Sequence, residues 1–531
     1  MTGRRTCSSG IRSEPGAPPI PIACAPVDPD KPAIILSDGS AALSFGALDR
    51  RSTQLARRLR QAGLAPGDRV ALLMDNEADH LVAAWAARRS EFRFVPINWH
   101  LRSEEAAYVV DNSDAVALIA SDRLRDLARE AAATASAVRL LLSSGAGGDG
   151  FEGLEAIYKT VDAAPLADER EGGPMPYSSG TTGWPKGILR PLAGLPFPAP
   201  APFDRLIRDE YGIDADTVYL SPAPLYHAAP MTWSMGTHLW GGATVMMPSF
   251  DPEQVLQAIE RHGVTHAQFV PTHFIRMLRL PDAVKARYDL SSLRTVVHSA
   301  APCPPQIKQA MVEWWGPVIH EYYSGSERCG FTVLRPDDWR AHQGTVGRSI
   351  TGAIHVLDPE TGAELPHGEV GLIYFENAQP YEYHRLAHEP GQGIDARGWG
   401  CLGDMGWVDD EGYLTLADRA SHMIISGGVN IYPREIEDLL SGHAEVADVA
   451  VIGVPDSEFG ESVKAVVQLR DPSRASEALA AELQALCQSR LATFKCPRSV
   501  DFVETLPRLP SGKLIKRELR KLYWPDARKM I

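Results

Sequence analysis

The stretch Tyr177–Gly187 reads YSSGTTGWPKG, and the interpretation of the whole chain turns on it. Three glycines, Gly180, Gly183 and Gly187, let backbone N–H groups converge on an anion. Ser178, Ser179, Thr181 and Thr182 add hydroxyl donors, and Lys186 adds a positive charge. This is phosphate-holding chemistry. The common nucleotide P-loop needs Gly-x-x-x-x-Gly-Lys-Ser/Thr, whereas here Lys186 precedes Gly187 and no hydroxyl follows. A bare Ser/Gly turn would not require so long and ordered a string.

Upstream of this loop, helical and strand-like blocks alternate. Leu48, Leu55, Leu59 and Ala62 fall at helical spacing within Phe45 to Ala62, and the short apolar run Arg69 to Met74 follows. The alternation recurs at His80 to Ser90 with Phe92 to Ile97, and at Glu104 to Asp111 with Ala115 to Ala120. It predicts α/β architecture with mainly parallel strands. Downstream, the prolines of Pro191 to Pro202 predict a stiff surface loop, and Ala353 to Phe375 predicts an antiparallel, barrel-like small sheet. After Asp418 to His422 comes a helix (Pro433 to Ser441), strands (Val446 to Val454, Ser462 to Leu469) and a helix (Glu477 to Leu491). That is a second, α+β domain of about 110 residues. The expected division is a flexible tail over 1–30, a large α/β domain with the small barrel-like part over 31–418, a hinge at 419–422 and a small mobile domain over 423–531.

The chain has 531 residues, is 44% hydrophobic and 23% charged, and carries a formal charge of −14, which excludes disordered and collagen-like classes and disfavours nucleic-acid binding. Seven scattered cysteines with no Cys-x-x-Cys pair suggest neither a disulfide framework nor a zinc site, and a reduced cytoplasm is expected. No run of about 18 apolar residues occurs, so no membrane span is expected.

In the phosphate loop the chain resembles the AMP-forming acyl-CoA synthetases of the adenylate-forming superfamily, which also holds luciferases and peptide-synthetase adenylation domains. The resemblance runs from about Pro32 to the end, because further motifs follow in the family's order. PLYHAAP, Pro224 to Pro230, brings His227 to an acyl pocket, and SAAP (Ser299, Ala300, Ala301, Pro302) is similar to the turn lying along the adenine. EYYSGSE spans Glu321, Tyr322, Tyr323, Ser324, Gly325, Ser326 and Glu327. By resemblance Tyr323 stacks on adenine and Glu327 holds Mg²⁺, while Ser324 and Ser326 replace the family's glycine and threonine. Asp404 stands at the ribose-binding aspartate, Arg419 at a ribose and phosphate contact, and Ser421 at the hinge. Ser426, Gly427 and Gly428 open the SGGVNIYPREIE loop that lines the CoA pantetheine tunnel, and Lys513 holds the place of the adenylation lysine.

The resemblance implies that Lys513, His227 and Glu327 are catalytic. ATP yields AMP and pyrophosphate, a carboxylic acid becomes an acyl adenylate, and CoA takes the acyl group. With His227 at the acyl pocket, the small residues Ala228, Ala229, Ser299, Ala300 and Gly325 suggest space and Met231, Trp233 and Met235 an apolar wall, which predicts a bulky, apolar or polycyclic acid. Runners-up are an aryl-CoA ligase, an enzyme loading a carrier protein and, from the departures Trp184, Ser324, Ser326 and Ser421, an enzyme specialised for thioester formation on a preformed adenylate. An inactive nucleotide sensor is the alternative of another class, and a homodimer is left open.

Overall fold

Ser44 starts the first long helix, its Oγ accepting from the Ala47 N–H at 3.3 Å. The helix Phe45–Gln61 then buries Phe45, Leu48, Leu55 and Leu59, the apolar stripe its spacing predicts. The computed structural model describes residues 22–524 apart from 25, 41, 179–183, 301, 302, 304, 360, 387–392, 420–423, 432 and 508–515.

The strands Arg69–Leu73, Arg93–Pro96, Ala115–Ala120 and Leu140–Ser143 pair in parallel within one sheet, separated along the chain by helices such as Ala78–Arg88 and Ser103–Asn112. A second sheet has as its neighbours, in order, Arg348–Ser349, Thr332–Leu334, Ile319–Tyr323, Thr295–His298, His266–Phe269, Val218–Ser221, Ala243–Met246, Pro32–Leu36 and Ala42–Ser44. It is parallel through its middle and antiparallel at both ends. Its central strands are buried along their whole length, as helices on both faces require.

Ile354–Leu357, Gly371–Phe375, Gly400–Val408 and Leu414–Arg419 form an antiparallel sheet, which is the small β part expected there. The stretch Pro191 to Ala201 holds no helix; the next one starts at Pro202. The last part of the chain builds its own sheet from Val446–Asp456, Gly460–Leu469 and Ser499–Val503. Helices Pro433–Ser441 and Glu477–Arg490 bring Ile436, Leu440, Leu479 and Leu483 into that part's apolar cluster. Lys495 of this part lies 2.6 Å from Glu105 of the first sheet's layer in a buried ion pair, and Arg102 Nε donates to the Leu491 carbonyl at 3.1 Å. No helix among the described residues is long and apolar enough to cross a membrane.

Candidate active site

The strand Lys186–Leu189 pairs antiparallel with Tyr177–Ser178 on one side and Glu382–Tyr383 on the other, with Ile188 opposite Tyr383. Side chains alternate along extended backbone, so Lys186 and Arg190, just past the strand's end, turn the same way. Both border a cavity of about 420 Å³. Other walls come from the ends of parallel strands: Gln268 and Phe269, Ser299 and Ala300, then Tyr322 and the turn Ser324 to Arg328. Crevices at the carboxyl ends of parallel strands are where open α/β sheets hold ligands.

Tyr383 ties the charged wall together. Its hydroxyl donates to Glu327 Oε1 at 3.0 Å, and Lys186 Nζ lies 5.1 Å from its ring centroid. Burial, reinforced by the Glu327 charge, pushes the Tyr383 hydroxyl well above its ordinary pKa, so it remains a donor. A Cβ at Gly325 would meet Glu327 Oε2 at 2.8 Å and Leu402 at 2.7 Å, so a side chain there would displace the Glu327 carboxylate. Among the described residues no group of three or more His, Cys, Asp or Glu could hold a metal by itself. A single cavity carboxylate still suits Mg²⁺, which keeps waters and takes further oxygens from phosphates. Glu327 therefore fits a magnesium ion carried by a nucleotide.

His227 caps the start of helix Ala228–Leu239 and borders the cavity half-buried; burial pushes its pKa down to about 4, with the His100 charge a smaller cause. It is a neutral imidazole near pH 7. Along that helix Ala228, Ala229 and Thr232 face the cavity, whereas Met231 and Trp233 are buried in two separate apolar clusters. The expected apolar wall of Met231 and Trp233 is thus replaced by small and hydroxylated residues of the helix's first turn together with Thr232, which stands four past Ala228 on the same face.

The cavity brings together Ser178, Lys186, His227, Ala228, Ser299, Ala300, Tyr322, Ser324, Gly325, Ser326, Glu327, Gly427 and Gly428 of the expected residues. Gly427 (φ 58°) and Gly428 (φ 79°) take left-handed backbone, which lets their turn close on Val270, 3.2 Å from where a Cβ of Gly428 would stand. Ser426 belongs to the strand behind them, paired with Gly460. Ala300 also takes left-handed backbone, at φ 74°. The Ser324 hydroxyl donates to the Gly330 carbonyl at 2.7 Å, so it holds its own turn.

Several expected residues stand elsewhere. Tyr323 donates from its hydroxyl to Asp404 Oδ2 at 2.5 Å, away from the described cavity wall, because neighbours in a strand point to opposite faces and Tyr322 takes the cavity side. Asp404 lies opposite Arg419 in the strand pairing. Glu321 is a core residue, 2.7 Å from Lys308 and 3.4 Å from His298, and burial raises its pKa against the pull of Lys308. Ser179, Gly180, Thr181, Thr182, Gly183, Ala301, Pro302, Ser421 and Lys513 lie outside the described residues, as does the side chain of Arg419. Wall residues that motif reading did not assign include Arg190, Thr232, Gln268, His273, Arg328 and Tyr383. Only Arg328 carried a local signal, as an unusual residue directly after Glu327.

The family model described as AMP-binding enzyme matches residues 23–381, and the model of the AMP-binding enzyme C-terminal domain matches residues 435–513. A feruloyl-CoA synthase of Amycolatopsis sp is 34% identical over 487 residues, covering 91% of this chain and 95% of the relative. The fatty acid–[acyl-carrier-protein] ligase ScoC of Streptomyces coeruleorubidus is 30% identical over 520 residues, covering 95% and 96%. The amide bond synthetase McbA of Marinactinospora thermotolerans superposes with a TM-score of 0.80 at 28% identity, covering 93% of this chain and 97% of that one. With the cavity, its glycine-bearing second loop and both family models in agreement, the chain belongs to the AMP-binding enzymes, as an AMP-forming acyl-CoA synthetase of the adenylate-forming superfamily.

Proposed function

We propose that the cavity activates a carboxylic acid in two half-reactions, each with its own wall. In the first, an oxygen of the acid's carboxylate attacks the α-phosphorus of ATP, the bond to the bridging oxygen breaks, and pyrophosphate leaves. Lys186 and the phosphate loop hold the phosphates, and Lys513 brings one further positive charge to the developing anion. Magnesium on Glu327, when bound, neutralises phosphate charge. Tyr383 steadies that carboxylate through its hydrogen bond. In the second, the CoA sulfur attacks the acyl carbon and AMP leaves, with the chain turning about 419–422 between the steps. Half-buried and neutral, His227 borders the acyl side without adding charge to it.

One observation carries this reading: Lys186, Glu327 and the Gly427–Gly428 turn converge on a single cavity, so phosphate chemistry and a narrow approach for a thin thiol-bearing chain share one site. Diffusible acids, ATP and CoA acting in the cytoplasm suit such a site. The test is to supply ATP, Mg²⁺ and CoA with a panel of carboxylic acids and to follow pyrophosphate release and CoA-ester formation. Nucleotide binding with neither product would leave a sensor in place of a ligase. Ester formation on a carrier protein but not on CoA would change the acceptor.

A further inference from the structure

Buried arginines in this protein are normally paired. Arg88 lies 2.8 Å from Glu171 and 3.0 Å from Asp204, and Arg89 lies 2.9 Å from Asp49 and 2.6 Å from Glu169. Two half-buried arginines that border the cavity have no such carboxylate partner among the described residues. Arg190 donates from Nη2 to the Ser326 carbonyl, and its buried Nε has no partner among the described residues. Arg328 donates from Nη2 to Thr232 Oγ1 at 3.3 Å and sits over the Phe203 ring at 4.8 Å, with no described carboxylate in ion-pair reach. Burial pushes Arg190 down to about 9, helped by the charge of Arg328 and opposed by Glu327; burial lowers Arg328 as well, against the charge of Asp204, which Arg88 already pairs. Guanidinium keeps its charge in proteins, and an uncompensated one away from bulk water is costly. Against Lys186, Arg190 and Arg328, the described wall sets one carboxylate, Glu327.

The two arginines border the cavity from different elements, near enough for the charge of one to act on the other. Arg190 stands beside Ser326 and Glu327, on the wall of Lys186 and Tyr383. Arg328 reaches helix Ala228–Leu239 through Thr232 and lies over Phe203; Phe331 and Tyr322, which border the same cavity, stack 4.7 Å apart at 15°. Its backbone is left-handed at φ 58°, and its N–H donates to the Gly325 carbonyl at 3.0 Å, so the turn aims the side chain.

We propose that Arg328 holds a second carboxylate of the substrate, with Thr232 beside it, so that the acid activated here is a dicarboxylic acid. This rests on the ligase reading above and names its substrate class. A monocarboxylic acid with an apolar far end would bury the guanidinium against hydrocarbon. A far carboxylate makes a charge-assisted pair with it, and the aromatic rings pack the carbon skeleton between the two ends.

The experiment compares matched pairs on the full chain: suberate with octanoate, and 4-carboxyphenylpropanoate with phenylpropanoate, followed by ATP-dependent pyrophosphate release. The dicarboxylic member is expected to lead by about tenfold to a hundredfold in kcat/KM, the usual worth of a hydrogen bond to a charged group. Arg328→Gln should bring that ratio close to one, and Arg328→Lys, which keeps the charge, should retain part of it. A wild-type preference for the monocarboxylic members would overturn the proposal and leave the ligase reading intact. Thermal-shift binding separates the opposite case. If suberate stabilises the chain, Arg328→Gln abolishes the shift and no acid releases pyrophosphate, the anion site stands and the ligase reading falls. If suberate and octanoate shift the wild type equally, the anion site falls.

Discussion

His227 shows how strongly burial alone sets the character of a side chain here. Its pKa is held to about 4, so a titration of the imidazole by NMR should show no protonation between pH 5.5 and 8, and kcat/KM should carry no inflection from it in that range. An imidazole titrating near 6.5 would contradict the packing around it. Lys513 calls for a kinetic test. Removing one preorganised donor to a developing oxyanion costs around 3 kcal/mol, roughly a hundred- to a thousand-fold in rate. Lys513→Ala is therefore expected to suppress pyrophosphate release by that order while sparing CoA-ester formation from supplied acyl adenylate. Equal losses in the two assays would remove Lys513 from its role. Among single residues, those inside contiguous motifs, such as Lys186 and Glu327, were legible because their neighbours in the chain announce them. Arg190 and Tyr383 were not, since what matters about them is a partner elsewhere: Arg190 reaches a carbonyl 136 residues away and Tyr383 a carboxylate 56 away.

At the scale of elements, the turn Gly427–Gly428 and the contact around Lys495 are both expected to bear on thioester formation. A Cβ at Gly427 would stand 2.9 Å from Phe459, on left-handed backbone that already disfavours a side chain. Gly427→Ala should slow CoA-ester formation from supplied adenylate by about tenfold or more and leave pyrophosphate release nearly as it was, as strain of about 1–3 kcal/mol in that turn implies. Glu105→Gln removes the negative partner of Lys495 across the two parts of the chain and should weaken their docking by up to about 3 kcal/mol. A slower thioester step with an unchanged unfolding midpoint for the isolated sheet layers would be the signature; hydrogen exchange across 102–112 and 491–498 would read it directly. Elements themselves were largely legible, because apolar periodicity reports which face is buried: Ala115–Ala120 and Pro433–Ser441 form where expected. The face of helix Ala228–Leu239 was not. Its whole middle is apolar or small, so periodicity could not say which edge meets the cavity.

For the whole molecule, buried histidines govern the response to acid. His80 and His238 are fully buried and held to about 4, against about 6.5 when unfolded. Their folded values are depressed, so the unfolded chain binds more protons between those limits, and each contributes on the order of 3 kcal/mol of stability that is lost as pH falls from 6.5 towards 4. Glu77, raised by burial to about 7, works in the opposite sense, losing a comparable amount as pH rises from about 4.5 to 7. The histidines prevail, so the denaturant midpoint should climb between pH 4 and 6.5. A flat profile would contradict the burial of His80 and His238.

By itself the sequence determined the family, the α/β class, and the kinds of ligand involved. A loop of phosphate-holding type, a carboxylate that suits magnesium and a glycine turn are local chemistry, written in consecutive residues at short spacing. Only the tertiary structure decided which side chains share the cavity, and hence that Arg328 and Thr232 border it whereas Met231 and Trp233 are packed in apolar clusters. Arg328 and Thr232 are 96 residues apart, and the sheet that joins their segments is what brings them into one wall. The charge balance of a pocket is a sum over distant segments, which no window along the chain contains.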